Sequence, residues 1–452
     1  MKIAITGATG LLGRPLMVKL LEAGHTVNAI CRKRQSITEL AYQNIFEWDA
    51  MSEVFPRESL IGVDTVVHLA GDPVADSRWT REKKKRILDS RVQGTRKLIE
   101  TIASMPVNDR PKHLISGSAI GIYGDQGDRT LNEKSSAGSG FLADVVKAWE
   151  AESLKAKDLG LRVVHLRTGV VLSRQGGALP KMPPFAIGSG LQWVSFIHEE
   201  DWQRFVMKTI HDLTLHGDYN LTAPQPCTNL EFTDALKKVL HFKVKAPKVP
   251  AFVLKAILGE MSEVVLASHK VLPMRVLESG FEFKFKTIST ALEDLFRNQT
   301  YLEEKLQTWQ FVPEKVETVF PFFSAAENLE KITPDWLNFK IEKQSTPNLE
   351  ENTIIDYKLK IHGIPAKWKT RILDWTPGEQ FVDDQVKGPY SRWHHTHTFK
   401  KVEGGTLLGD EVLFQVPGNL LGKVFLGNFI KNDVSKIFRY RQKIIQTIFG
   451  KN

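Results

Sequence analysis

Cysteine is scarce in this chain and long apolar runs are missing. Only Cys31 and Cys227 occur among 452 residues, which excludes a disulfide framework and a cysteine metal centre. No stretch is apolar for long enough to cross a bilayer. Met1-Lys2 leads straight into a strand pattern and leaves no room for a signal peptide, so the expected location is cytoplasmic, without membrane insertion. Internal repeats, low-complexity segments and nucleic-acid-binding motifs are also lacking, and no nucleic-acid partner is expected. What remains is ordinary globular composition, 42% hydrophobic and 25% charged, in a chain longer than one core usually supports, so two domains are expected. The net charge of +9 lies mostly in residues 1–300. Part of it is Arg32-Lys33-Arg34 and the stretch 81–86, which suits a phosphorylated cofactor.

The most informative segment is Lys2-Ile3-Ala4-Ile5-Thr6-Gly7-Ala8-Thr9-Gly10-Leu11-Leu12-Gly13. It sets a buried-strand pattern against a glycine-rich turn and the start of an amphipathic helix, the context that turns a glycine triplet into a dinucleotide cradle. Gly7 permits the tight turn, Gly10 admits backbone amides to a pyrophosphate, and Gly13 lets the helix pack on the sheet. The helix from about Leu11 to Ala23 then aims its N-terminus at the phosphates. A second strand, Thr26–Cys31, ends at Arg32-Lys33-Arg34. Where a carboxylate would hold a ribose hydroxyl, this cationic cluster suits the 2′-phosphate of NADP(H). Arg32 is the first candidate for that contact and Arg34 the second, the alternative being a solvated charge run.

Strand and helix patterns alternate through the first half, with strands at 65–69, 112–115 and 161–167 and helices near 83–104 and 141–159. Residues 176–190 are loop-rich, and 247–296 read as mostly helical. This is a doubly wound α/β arrangement over 1–297. A polar linker is expected at 298–305. From 306 to 452 the rhythm changes to strand-like segments at 336–343, 353–361, 367–375, 381–386, 391–400 and 407–416, which argue an antiparallel sheet. Ile430, Val434, Ile437, Phe438, Ile444, Ile445 and Ile448 then recur at helical spacing and predict a long amphipathic helix.

Residues 1–297 resemble the extended short-chain dehydrogenase/reductase superfamily, and within it an atypical epimerase family of nucleotide-sugar-epimerase-like proteins. The resemblance rests on Gly7 to Gly13, His68-Leu69-Ala70-Gly71-Asp72-Pro73, Arg78-Trp79-Thr80, Asp89-Ser90-Arg91, Ser116-Gly117-Ser118-Ala119 with Tyr123-Gly124, Ala148-Trp149-Glu150, Arg167-Thr168-Gly169 and Ile197-His198. It implies a Rossmann-like sheet with NADP(H) held by Gly7, Thr9, Gly10, Leu11, Leu12 and Gly13. Asp49 would then take the adenine amino group, and Leu69, Ala70 and Gly71 would pass under the adenosine ribose. Asp72 would lie toward the nicotinamide, or serve as a turn residue. Residues 306–452 resemble START-like helix-grip domains related to polyketide cyclases, through Thr333-Pro334-Asp335-Trp336, Trp393 to Phe399 and the terminal helix. That resemblance implies a curved sheet around one long helix and an apolar ligand pocket.

The superfamily's usual acid–base set is incomplete. Lys147 stands in the lysine place, where it would hold the nicotinamide ribose, but Ala143 stands where the proton-transferring tyrosine is expected, and Arg91 where an asparagine is. Ser118 is the nearest serine match, and Tyr123 is a substitute acid or a packed core residue. Ser118, Tyr123 and Lys147 are therefore the catalytic candidates. Arg91 clamps an anion or forms a buried ion pair. Asp201 reads as a helix cap. His395 and His397 share one strand face, but two imidazoles without a third ligand at local spacing favour the polar lining of a pocket, and no metal is expected.

Two functions fit these residues. One is an NADP(H)-dependent oxidoreductase or epimerase-like enzyme acting on a small molecule, with an apolar or amphiphilic ligand in the second domain. The other is a non-catalytic NADP(H)-binding redox sensor coupled to ligand capture. Homodimers through the helices flanking the sheet are common in the superfamily, and nothing in these residues adds to that.

Overall fold

Apolar residues on both faces of successive short strands force the first part of the chain into a covered parallel sheet. The computed structural model describes residues 1–33, 44–242, 248–297 and 302–450. The chain divides into two units, one made up mostly of residues 1–300 and the other mostly of residues 301–452. Among the described residues, no helix is long and apolar enough to cross a membrane.

In the first unit β1 (Lys2–Thr6), β2 (Thr26–Cys31), β3 (Ile45–Glu47), β4 (Thr65–His68), β5 (His113–Ala119), β6 (Arg162–Thr168) and β7 (Gly217–Leu221) form one sheet. The order is β7-β6-β5-β4-β1-β2-β3 and every pairing is parallel. Helices α1 (Gly13–Glu22), α2 (Arg81–Ala103), α3 (Phe141–Leu154) and α4 (Glu199–His211) connect strands along it. Ile3, Ala4, Ile5, Val66, Val67, Leu114 and Ile115 are inaccessible to solvent. The strand order reverses between β1 and β4, where Thr6 pairs with His68. Such a switch point opens a crevice at the carboxyl ends of the strands, and the glycine turn lies there.

Several local expectations shift by a few residues. Asp201 is not the cap of α4. His198 fills that place, its side chain accepting the Glu200 amide. Asp201 is fully buried instead and accepts the backbone amides of Lys284 (3.0 Å) and Phe285 (2.9 Å), tying the 281–285 segment to α4.

The second unit is an antiparallel sheet of β8 (Glu303–Val312), β9 (Lys340–Gln344), β10 (Ile354–Ile361), β11 (Ile364–Thr376), β12 (Gln380–Lys387), β13 (Arg392–Val402) and β14 (Gly405–Gln415). The order is β8-β14-β13-β12-β11-β10-β9. Two short helices, α5 (Val316–Phe323) and α6 (Ala326–Ile332), and the long α7 (Asn419–Phe449) complete it. Val434, Phe438 and Ile445 of α7 join Val312, Trp368, Phe381, Phe399 and Phe414 in one core, so the helix lies against the sheet. This is the helix-grip arrangement. β8 begins inside the segment expected as linker. Its sequence Glu-Glu-Lys-Leu-Gln-Thr-Trp-Gln-Phe-Val carries little strand signal of its own, and its partner β14 lies a hundred residues away. The expected strand at 336–343 starts later, at Lys340, because Asp335–Leu337 form a tight turn and Asn338 adopts φ 44°.

Candidate functional site

The crevice at the β1–β4 switch point is built from backbone that side chains cannot enter. A Cβ on Gly7, which has φ +69°, would meet the Leu69 carbonyl carbon and oxygen at 2.9 Å, and one on Gly13 would meet the Gly7 oxygen at 2.3 Å. At Gly10 a Cβ would meet only the Gly7 oxygen, at 3.1 Å, among the described residues. That side of the turn is open to a phosphate. The Arg14 amide donates to the Gly10 carbonyl at 3.1 Å, so the amides of Leu11, Leu12 and Gly13 precede the helical ladder, where an anion is favoured. Thr9 is exposed beside them. Thr6 fixes the opposite lip. Its hydroxyl accepts the Leu69 amide (3.0 Å) and the Ala70 amide (3.1 Å) and meets His68 Nδ1 at 2.7 Å. His68 bridges on to Thr95 at 3.1 Å, and burial pushes its pKa down to about 4.

Arg32 is exposed just beyond β2, and Arg34 lies outside the described residues. Asp49 follows β3 and accepts the Met51 amide at 2.9 Å. The buried carboxylate of Asp72 is held by Lys83 at 2.5 Å and Arg86 at 2.7 Å, both from α2, which ties this loop to that helix. Arg91 forms no ion pair among the described residues. Its guanidinium donates to the Asp72 carbonyl and the Ile87 carbonyl, each at 3.0 Å, lies 5.2 Å from the Trp149 ring, and packs where a Gly71 side chain would be. Burial pushes its pKa down to about 10, against the raising effect of Asp72. Gly71 is therefore shaped by the arginine beneath it.

The three catalytic candidates are not brought together as an acid–base set. Ser118 donates to Glu150 Oε1 at 2.6 Å. Glu150 accepts both Nε and Nη2 of Arg167, each at 2.8 Å, and Arg167 also reaches Asp218 at 2.6 Å and the Tyr123 hydroxyl at 3.3 Å. Tyr123, with no exposed surface, donates to Asn220 Oδ1 at 2.8 Å. Burial raises its pKa, so it is a poor proton donor. His165 closes the network between Asp218 and Ser153, each at 2.8 Å. Ser118 and Tyr123 are thus buried and hydrogen-bonded within this network. Lys147, by contrast, is exposed and pairs with Asp144 at 2.7 Å. Ala143 is buried.

Glu150, Arg167 and Asp218 had no role in the sequence reading, although a signal was present. An arginine inside the apolar strand Val163-Val164-His165-Leu166-Arg167 must find a partner, because an unpaired buried charge is too costly.

In the second unit the sheet, α6 and α7 enclose a cavity of about 630 Å³, within the range of small-molecule sites. Its wall includes Leu329, Phe339, Tyr357, Trp368, Trp393 and Phe438, with Asp383, His395 and Arg441 among its polar members. His395 lines it as expected. The third neighbour that local spacing did not reveal is Asp383 of β12, opposite His395 in register, and one ligand atom from each of Asp383, His395 and His397 falls within 4.8 Å of the others. Arg441 Nη2 lies 3.3 Å from His397 Nδ1. That fixed cation suits hydrogen-bonded lining better than a metal ion.

A doubly wound sheet with a glycine cradle at its switch point defines a Rossmann-type nucleotide-binding protein, followed by a helix-grip domain. Residues 3–221 match the NAD dependent epimerase/dehydratase family, 249–295 a domain of unknown function, and 312–438 the polyketide cyclase/dehydrase and lipid transport family. The chain is 37% identical over 306 residues to the Arabidopsis thaliana epimerase family protein SDR39U1 homolog, chloroplastic, covering 66% of this chain and 87% of that protein. It belongs to this epimerase family. Among solved structures, human epimerase family protein SDR39U1 (isoform 2) with NADPH is 29% identical with a TM-score of 0.58, over 66% of this chain and all of that one. A nucleoside-diphosphate sugar epimerase from Corynebacterium glutamicum is 31% identical with a TM-score of 0.53, over 67% of this chain and 59% of its own.

Proposed function

We infer that the first unit binds NADP(H) and serves as an oxidoreductase or epimerase-like enzyme, and that the second unit binds an apolar or amphiphilic small molecule. The observation that carries the reading is the cradle, whose glycines leave space for a diphosphate beside Arg32. The NADPH in the human relative supports it. In this reading Gly7, Gly10 and Gly13 admit the diphosphate, with the amides of Leu11 and Leu12 turned toward it. Arg32, joined by Arg34, takes the 2′-phosphate, and Asp49 takes the adenine. Leu69, Ala70 and Gly71 run under the ribose, their loop held by Thr6 and, through the Asp72 carbonyl, by Arg91. The nicotinamide, when bound, supplies hydride transfer. Lys147 is the remaining candidate for holding its ribose and for moving a proton.

Ala143 and the commitment of Ser118 and Tyr123 favour a second reading, a non-catalytic NADP(H) sensor. Calorimetric titration tests the shared part. Arg32→Ala should weaken NADPH binding by about 10- to 100-fold, as loss of a charge-assisted phosphate contact does, and leave NADH nearly unchanged. Equal losses would refute the phosphate assignment. Oxidation of NADPH by any member of a carbonyl and sugar-nucleotide panel, lost in Lys147→Met, would decide for the enzyme; binding without turnover across that panel would decide for the sensor.

A further inference from the structure

One helix of the first unit is apolar on every side and yet covered on none. It spans Ala251–Leu258, reads Ala-Phe-Val-Leu-Lys-Ala-Ile-Leu, and has no buried residue. Phe252 is 73% exposed and Ile257 57%. A helix of that composition ordinarily lies inside a core. The apolar surface also runs on past the helix. The neighbouring loop is fixed to it, the Gly188 amide donating to the Val249 carbonyl at 2.8 Å, and a Cβ on Gly188 would lie 3.8 Å from Ala251 Cβ. This loop carries Leu191, 66% exposed, and its Gly190 carbonyl accepts the amide of Leu230, a further exposed leucine, at 2.9 Å. Contiguous apolar exposure of this kind marks a contact surface.

The charges at its rim decide what it meets. Arg78 closes one end of the helix, donating to the Ile257 carbonyl at 2.5 Å and the Ala256 carbonyl at 2.7 Å. Lys248 lies at the other end and donates to the Ser189 carbonyl at 2.8 Å, and Lys255 stands on the helix itself. Lys181 reaches the Ala75 carbonyl, three residues before Arg78, at 3.2 Å. These four cations are exposed and form no ion pair among the described residues. The basic run at 81–86 is spent differently. Lys83 and Arg86 hold Asp72, Lys83 also holds Asp76, and Lys85 holds Asp89, while Lys84 neutralises Glu260 just past the helix. Glu231, which caps its own helix, and Glu263 are the nearby carboxylates without a cation among the described residues. The rim is therefore net positive.

We propose that this face of the first unit docks on an anionic phospholipid surface, with Phe252 and Ile257 entering the interface and Lys248 and Lys255 meeting headgroup phosphates. Apolar side chains ringed by lysines are what such an interface binds. An acidic protein would match the charge, but Phe252 and Ile257 project outward, and a bilayer receives projecting groups without a pocket shaped for them. Eight residues make a helix of about 12 Å, so the contact is peripheral.

Sedimentation of the full chain with vesicles provides the test. Vesicles of equal parts phosphatidylcholine and phosphatidylglycerol should retain the chain and release it at high salt, and phosphatidylcholine alone should bind it at least about tenfold more weakly. Lys248→Gln/Lys255→Gln should weaken binding by about 25-fold, at about fivefold for each cation. Phe252→Ala should weaken it by about tenfold or more. These positions are exposed, so the melting transition should not move in either variant, which separates lost docking from lost folding. Undiminished binding by both variants would overturn this face as the contact. Equal binding to charged and neutral vesicles would overturn the headgroup assignment. No retention by the mixed vesicles would overturn docking altogether, and a dimer in analytical ultracentrifugation that Phe252→Ala dissociates would then give the patch to a second copy of the chain.

Discussion

Replacing Glu150 with alanine tests whether the residues at the superfamily's catalytic place hold the first unit together. Glu150 and Arg167 are each under 10% exposed and share two bonds of 2.8 Å. Removing one member of a buried pair typically costs about 3–5 kcal/mol. Arg167 keeps Asp218 at 2.6 Å and the Tyr123 hydroxyl at 3.3 Å, which points to the lower end, about 3 kcal/mol. Ser118 loses its acceptor in the same step. At roughly 2–4 °C per kcal/mol for a unit of this size, the melting transition of the first unit should fall by about 6–12 °C. Differential scanning calorimetry of the full chain with and without NADPH identifies that transition, since only the nucleotide-binding unit shifts with ligand. Below the transition, NADPH affinity should stay within about twofold, because among the described residues no member of the network hydrogen-bonds to the cradle. The double variant Glu150→Leu/Arg167→Met should recover part of the loss, as a buried pair exchanged for apolar residues often does. A shift under about 2 °C, or loss of turnover with the melt unchanged, would refute the structural assignment.

Tyr123→Phe should cost about 1–2 kcal/mol by stripping Asn220 Oδ1 of its donor, and NADPH binding should persist; a large loss of turnover with unchanged stability would return Tyr123 to the role of acid. Gly13→Ala drives a Cβ to 2.3 Å from the Gly7 oxygen, so calorimetry should find NADPH weakened by about tenfold or more and the fold destabilised by about 1–3 kcal/mol. His68, neutral in the fold with a pKa of about 4, leaves the unfolded chain binding the extra proton between pH 6.5 and 4. Stability should therefore fall on acidification across that window by about 3 kcal/mol from this group alone. Urea midpoints of His68→Gln should fall less steeply, and an equal slope would contradict the neutral assignment.

The cradle was legible because its information is local. Thirteen residues carry the strand, the turn and the helix start, and Gly13 is required by contacts with Gly7 and Ala8 inside that segment, while Gly7 is required by its φ of +69° and by the Leu69–Ala70 loop. The parallel sheet was legible for a similar reason, since buried strands such as Thr65–His68 read as apolar runs. What escaped was set by distant partners. Arg91, Glu150 and Arg167 were visible as family-like positions, but only the fold brings Arg91 beneath Gly71 or Arg167 to Glu150. Asp383 and Asp410 belong to strands on either side of His395, so no spacing along the chain pairs them. The β8 strand is the plainest case, with polar residues at most positions and a pattern that makes sense only opposite Gly405–Gln415.

The same β8 pairing has a consequence for biosynthesis. Among the described residues, Glu303–Val312 is an edge strand that pairs with β14 alone, and some ninety residues separate the two in translation. While the ribosome works through that interval, the nascent strand still lacks its partner although the first unit's sheet has been fully synthesised, and open edges of this kind invite wrong pairings. Slow elongation across 313–404, or chaperone cover over 303–312, should therefore govern how much of the second unit reaches its native state.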